Sequence, residues 1–192
     1  YMRWQRLPLA TPHWRLHLTR SLSGFISLVM YFYAISMIPL ATAVTLNYTS
    51  PLFLALLLTF WQRERVGRRL AGAALTGFVG VLLLLQPTWQ AEHLAGGLFG
   101  LGSGIISSVA YLHVRKLGEM GEPSWRTVFW FSLVSSLGGL PWALAAQPFH
   151  AVDATGWLLL LGVGGLGAAA QLCMTRAYKT GRTMAVASGW SL

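Results

Sequence analysis

Apolar positions run along this chain in long blocks rather than in stripes or strict alternation. Six blocks come close to the roughly 20 residues that carry an α-helix across a hydrocarbon core of about 30 Å, at residues 20–38, 41–61, 69–86, 96–114, 127–146 and 156–175. The first two are parted only by Ile38-Pro39-Leu40. Read through, they would form a helix of about 60 Å, twice the core thickness, so the proline is expected to turn the chain back into a hairpin. The pattern predicts an all-α fold, a polytopic transmembrane helix bundle with six complete spans. A soluble helical core would need amphipathic stripes and far more surface charge.

The second block is interrupted near its middle by Asn47-Tyr48-Thr49-Ser50-Pro51. Polar groups in a lipid span must find partners, and Pro51 removes one backbone donor, which frees the carbonyl of Asn47 from its usual helical bond. A loosened, polar helix of this kind suits a solute cavity. Back-bonding of Thr49 and Ser50 to their own helix, with Asn47 joining two helices, is the alternative.

Other polar positions also recur at helical spacing. Ser23, Ser27 and Tyr31 in the first block, and Ser103, Ser107 and Tyr111 in the fourth, each share one helix face. Either stripe could line a pathway or simply allow close packing through small residues. Gly100, Gly104 and Ser108, and Gly72, Thr76 and Gly80, read as packing stripes. In the sixth block Gln171 is a buried-amide candidate; Trp130 in the fifth could stack on a solute or pack against a neighbouring helix. The candidate substrate-binding set is Tyr31, Asn47, Ser50, Ser107, Tyr111 and Gln171.

Charge orients the blocks. The chain is 55% hydrophobic and 10% charged with a net charge of +9, against roughly 25% charged residues in soluble domains. Nucleic-acid binding would gather the basic residues on one solvated face. Instead they sit between blocks: Arg3, Arg6, Arg15 and Arg20 before the first, Arg63 to Arg69 between the second and third, Arg115, Lys116 and Arg126 between the fourth and fifth, and Arg176, Lys179 and Arg182 after the sixth. The alternate connections, 38–40, 86–95 and 147–155, hold none and carry Glu92 and Asp153. The positive-inside rule then places both chain ends in the cytoplasm. Trp89, Trp125, Trp142 and Trp157 near block ends suit an aromatic belt. The partners implied are a lipid bilayer and a small-molecule substrate, with no nucleic acid; a homodimer is left open.

Chemistry of other kinds is not supported. No Asp or Glu lies inside any of the six blocks, so proton coupling through a membrane carboxylate finds no candidate there. Gly102-Ser103-Gly104 lacks the pattern of a nucleophile elbow, His113 stands near a block end without a paired nucleophile, and no residues are spaced as metal ligands. An enzyme, a resident metal and a cofactor are not expected. The single cysteine, Cys173, rules out an intrachain disulfide and is expected to be a small buried apolar side chain.

The chain opens on a basic stretch at Tyr1-Met2 and closes on TMAVASGWSL, which reads as a further span begun, so additional helices are expected at both ends. A shift of 143 residues aligns Trp14 with Trp157, Leu16 with Leu159, Leu18 with Leu161, Gly24 with Gly167 and Ala34 with Ala177. The two aligned segments would cross the membrane in opposite directions, the pattern of inverted-repeat transporters.

Residues 34–85 carry Ser50-Pro51-x-Phe53, Glu64-Arg65 at a span exit, and Gly72 leading to Gly80-Val81-Leu82-Leu83-Leu84. This run resembles the first EamA domain of the drug/metabolite transporter superfamily, although Arg63 stands where that family usually has glycine. The resemblance implies a ten-helix bundle of two inverted halves, with residues 1–88 supplying helices three to five and 96–192 helices six to eight and the start of nine. It also implies a bacterial inner-membrane secondary transporter that moves an amino acid, nucleobase or drug-like solute outward by alternating access. A channel, or a membrane subunit without transport, would use the same polar stripes differently.

Overall fold

The computed structural model describes residues 9–61, 72, 75–77, 79–80, 83, 91–146 and 153–180. The helices whose bounds the described residues give are, in order, α1 (Trp14–Met37), α2 (Leu40–Asn47), α3 (Ser50–Trp61), α4 (Ala91–Glu119), α5 (Ser124–Ala146) and α6 (Ala154–Thr180). No strand occurs among the described residues. Among the described residues five segments are long and apolar enough to cross a membrane: α1, Leu40–Thr59 across α2 and α3, Leu94–Glu119 in α4, α5 and α6. The expected third span, 69–86, falls mostly outside the described residues; those described within it are helical.

Turn chemistry explains where the helices stop. Ile38 N–H closes α1 on the Ala34 carbonyl at 2.9 Å, and Ala43 N–H opens α2 on the Pro39 carbonyl at 3.1 Å. Between them Pro39 takes φ −53° and ψ 138°, an extended conformation. The hairpin corner therefore lies where the proline placed it.

At the other end of α4 the chain makes a Schellman turn. Glu122 N–H bonds the Leu117 carbonyl and Gly121 N–H that of Gly118, both at 3.0 Å. Gly121 sits at φ 78°, a conformation glycine adopts without a Cβ penalty. Pro123 follows and its carbonyl starts α5 through Arg126 N–H at 3.0 Å. Met-Gly-Glu-Pro is thus a stop, a reversal and a restart.

The described residues group into two compact units: one takes residues up to Leu22 and from His113 onward, the other Ser23–Leu112. In the second unit Ala34, Ile38, Ala43 and Leu46 form an apolar core with Tyr31, Ile35, Phe99 and Leu101 against it. Glycines on α4 permit this: a Cβ on Gly100 would lie 2.8 Å from Leu46 Cδ1, and one on Gly96 2.6 Å from Ile38 Cγ2.

In the first unit, α5 and most of α6 leave their apolar side chains exposed, Leu158 and Val163 among them at 71% and 74%. In water such a surface would drive aggregation, but against acyl chains or neighbouring membrane helices it carries little cost. Cys173 lies on this exposed face. The expectation of burial is corrected because an apolar setting in a membrane helix does not require protein neighbours.

Candidate functional site

The interrupted second span is two helices. Tyr48, at φ −69° and ψ 1°, ends α2, and Pro51 cannot supply the N–H that would carry the ladder onward. The exposed ends are satisfied locally: Thr49 Oγ1 donates to the Leu46 carbonyl at 2.6 Å, and the Thr49 carbonyl accepts from Leu52 and Phe53 N–H at 2.9 and 3.3 Å. The break packs on Gly104 of α4. A Cβ there would stand 3.0 Å from the Leu46 carbonyl oxygen and 3.3 Å from that of Asn47. Only a glycine lets the loosened backbone come so near.

Around this break lies a neutral polar cluster within the Ser23–Leu112 unit. Asn47 Nδ2 donates to Ser103 Oγ at 2.9 Å, and Ser103 Oγ donates to the Gly100 carbonyl at 2.6 Å. Ser27 Oγ lies 2.8 Å from the Ser103 carbonyl and 2.6 Å from Ser107 Oγ. Ser27, Ser50, Ser103 and Ser107 are buried and Asn47 is half-buried. The serine stripes of α1 and α4, similar in sequence, are therefore mated faces; single-helix spacing could not show that they meet. Tyr31 packs on the apolar core and is half-buried, as is Tyr111. Five of the six candidate residues thus lie in one unit, and Asn47 and Ser107 are linked through Ser103 and Ser27.

Gln171, the sixth, belongs to the other unit, where its Oε1 accepts from Arg20 Nη2 at 3.0 Å. The Arg20 guanidinium also lies 4.1 Å above the Phe131 ring. Arg20 had counted only as an orienting charge, yet it sits two turns into α1 and is buried. Helix α1 begins six residues before the apolar block, and within those first turns His17 and Arg20 are buried while Trp14, Arg15, Leu18 and Thr19 are exposed.

Sequence reasoning missed a charged cluster in the same unit. Glu122, delivered by the Gly121 turn, is 5% exposed. Its Oε2 accepts from Arg126 Nη1 at 2.6 Å, its Oε1 accepts from Thr11 Oγ1, and Lys179 Nζ reaches its backbone carbonyl at 3.3 Å. His17, fully buried, holds Nε2 3.6 Å from the same Oε2 and tilts its ring 6.4 Å from that of Trp130. Burial pushes the Glu122 carboxyl up, but the hydrogen bonds from Thr11 and Arg126 and the nearby Arg126 charge prevail and hold it below the usual carboxylate range. The pattern Gly-Glu-Pro followed by Arg at i+4 was the available signal, but it names no partner on α1.

Residues 3–86 match the EamA-like transporter family. A riboflavin transporter of Vibrio cholerae is 31% identical over 175 residues, covering 90% of this chain and 57% of that protein. The pseudopaline exporter CntI of Pseudomonas aeruginosa is 31% identical over 163 residues, 84% of this chain and 56% of its own. The chain spans little more than half the length of these relatives. A solved crystal structure at 24% identity superposes with a TM-score of 0.71 over 93% of this chain and 63% of the other, a likeness of fold. The apolar helices, the motifs around Ser50-Pro51 and these likenesses converge: this chain is an integral membrane protein whose residues 3–86 match the EamA-like transporter family and which is similar to transporters of the drug/metabolite type.

Proposed function

We propose that this chain forms part of a secondary transporter that carries a small polar or amphipathic metabolite outward across a bacterial inner membrane, by alternating access between inverted repeats. Residues 1–88 would close the first repeat and 96–192 open the second, with both chain ends cytoplasmic. The observation that carries this reading is the break of the second span at Tyr48-Thr49. Transporters use discontinuous helices because loosened backbone groups and side-chain amides at depth can bind a solute that lipid would exclude. Asn47 is placed for this role. Among the described residues its side chain makes one hydrogen bond, to Ser103, and the rest of a half-buried amide can serve a solute.

The bond from Asn47 to Ser103 also favours a second reading, in which the amide joins α2 to α4 and nothing passes. Counterflow in proteoliposomes separates the two. Vesicles preloaded with unlabelled riboflavin, the solute named for the Vibrio cholerae relative, and in parallel with amino acids and nucleobases, are given labelled solute outside. Accelerated uptake that Asn47→Ala abolishes at unchanged protein level supports the carrier. Equal flux in the variant returns Asn47 to packing.

A further inference from the structure

No carboxylate lies within any of the six apolar blocks, yet a titratable group does lie buried in a span: His17, the fourth residue of α1. We propose that His17, paired with Glu122, is a proton-binding site, and that the proton it takes up couples to solute movement. The coupling rests on the carrier reading; the proton site stands by itself.

The geometry supports it in three ways. First, neither ring nitrogen of His17 has a hydrogen-bond partner among the described residues, although the side chain is fully buried. A buried histidine with a purely structural role normally has at least one nitrogen bonded. Second, its Nε2 stands 3.6 Å from Glu122 Oε2, beyond a hydrogen bond but within a small side-chain movement of one. A proton arriving from water adds to the Nε2 lone pair, and the new N–H then donates to Oε2; loss of the proton to water reverses both. Third, Arg126 Nη1 already holds that same Oε2 at 2.6 Å. A protonated His17 therefore competes with Arg126 for one oxygen.

Charged groups from each neighbouring element face the pair. His13 lies on the turn before His17; Arg126 comes from α5; Lys179 of α6 holds the Glu122 backbone; and Arg20, one turn further along α1, bonds Gln171. With His17 neutral, Glu122 and Arg126 balance. A proton on His17 adds an uncompensated positive charge among groups of α1, α5, α6 and the turn at Gly121, so the conformation that best shields it is favoured. That differential is what a coupling ion needs. The position at the start of a span also gives the proton a short route from the interface, and the Trp130 ring lies 6.4 Å from the imidazole, centroid to centroid.

The test combines a direct titration with flux in the intact protein. Histidine ring resonances of isotopically labelled protein in nanodiscs are followed from pH 4 to 9, about the range spanned by perturbed histidines. One resonance that titrates in wild type should vanish in His17→Gln, and its midpoint should fall by about one unit in Glu122→Gln, which keeps the shape and loses the charge. In proteoliposomes with entrapped pyranine, the ratio of pH-gradient-driven uptake to counterflow, for the solute that gives counterflow, should drop about tenfold in His17→Gln. A His17 resonance that does not titrate overturns the proposal, as does a titrating one whose loss leaves the ratio unchanged. No counterflow in wild type would refute the carrier reading instead, and the titration would still decide the proton site.

Discussion

The cluster at Asn47 and the cluster at Glu122 are both buried, but they are built from different chemistry. Around Asn47, serine hydroxyls, an amide and loosened carbonyls meet, all neutral and bonded at 2.6 to 2.9 Å. Around Glu122 a carboxylate is held by Arg126 and Thr11, with His17 unbonded beside it. Neutral groups in a membrane cost little to pair and little to separate, since each can find another partner. A desolvated ion pair is different: removing one member strands the other. The comparison suggests a division of labour, with the neutral region able to exchange its bonds for those of a solute and the charged region set to respond to a proton.

The largest effect that could break this contrast comes from the charged side. Glu122→Ala leaves Arg126 buried without its carboxylate and should lower stability by about 3–5 kcal/mol, read from denaturant unfolding in detergent micelles. A change below about 1 kcal/mol, the range of an exposed pair, would show that the cluster is solvated and the contrast empty.

Next is the close approach at Gly104. Gly104→Ala puts a methyl group 3.0 Å from the Leu46 carbonyl oxygen and 2.8 Å from Thr49 Oγ1. Backbone must move, at a cost of about 1–3 kcal/mol, and counterflow should fall with it. An alanine accepted with full flux would mean that the break does not depend on α4.

Acid sharpens the comparison further. The Glu122 carboxyl is held below its ordinary value of 4.5 when folded, so the unfolded chain takes up this proton first as pH falls. The stability it contributes is whole above about that value and drains away as pH drops through the lower, folded one. Glu122→Gln should flatten this acid-side loss in melting curves taken across pH, while Asn47→Ala should leave its slope as in wild type.

The smallest stability effect is expected at Asn47. Loss of its one bond to Ser103 should cost about 0.6 kcal/mol, the average found for membrane hydrogen bonds, whereas counterflow should be lost. A large destabilisation with flux retained would invert the assignment of the two regions.

Much of the architecture could be read along the chain. Blocks of apolar residues define spans whatever packs against them, because each helix satisfies its own backbone; five were found where expected, and Pro39 marked the hairpin corner. The weakness of the second span at Asn47 to Pro51 was also legible, since a missing N–H is a local property. Charge spacing, by contrast, misjudged Arg20 and passed over His17 and Glu122. A basic residue at a span end looks alike whether it snorkels to the interface or turns inward. Which it does depends on what another helix presents to it, here Gln171 and Phe131.

The sequence by itself therefore determined the class of the protein, the places of its helices and the site of its break, all consequences of short-range backbone chemistry and of transfer into lipid. Only the tertiary structure decided that the serine stripes of α1 and α4 are partners, that Gly104 receives the broken helix, and that His17 and Glu122, 105 positions apart in the chain, meet within 3.6 Å. The reason is physical: a hydrogen bond or ion pair across helices needs two surfaces in register, and one helix's periodicity specifies only one of them.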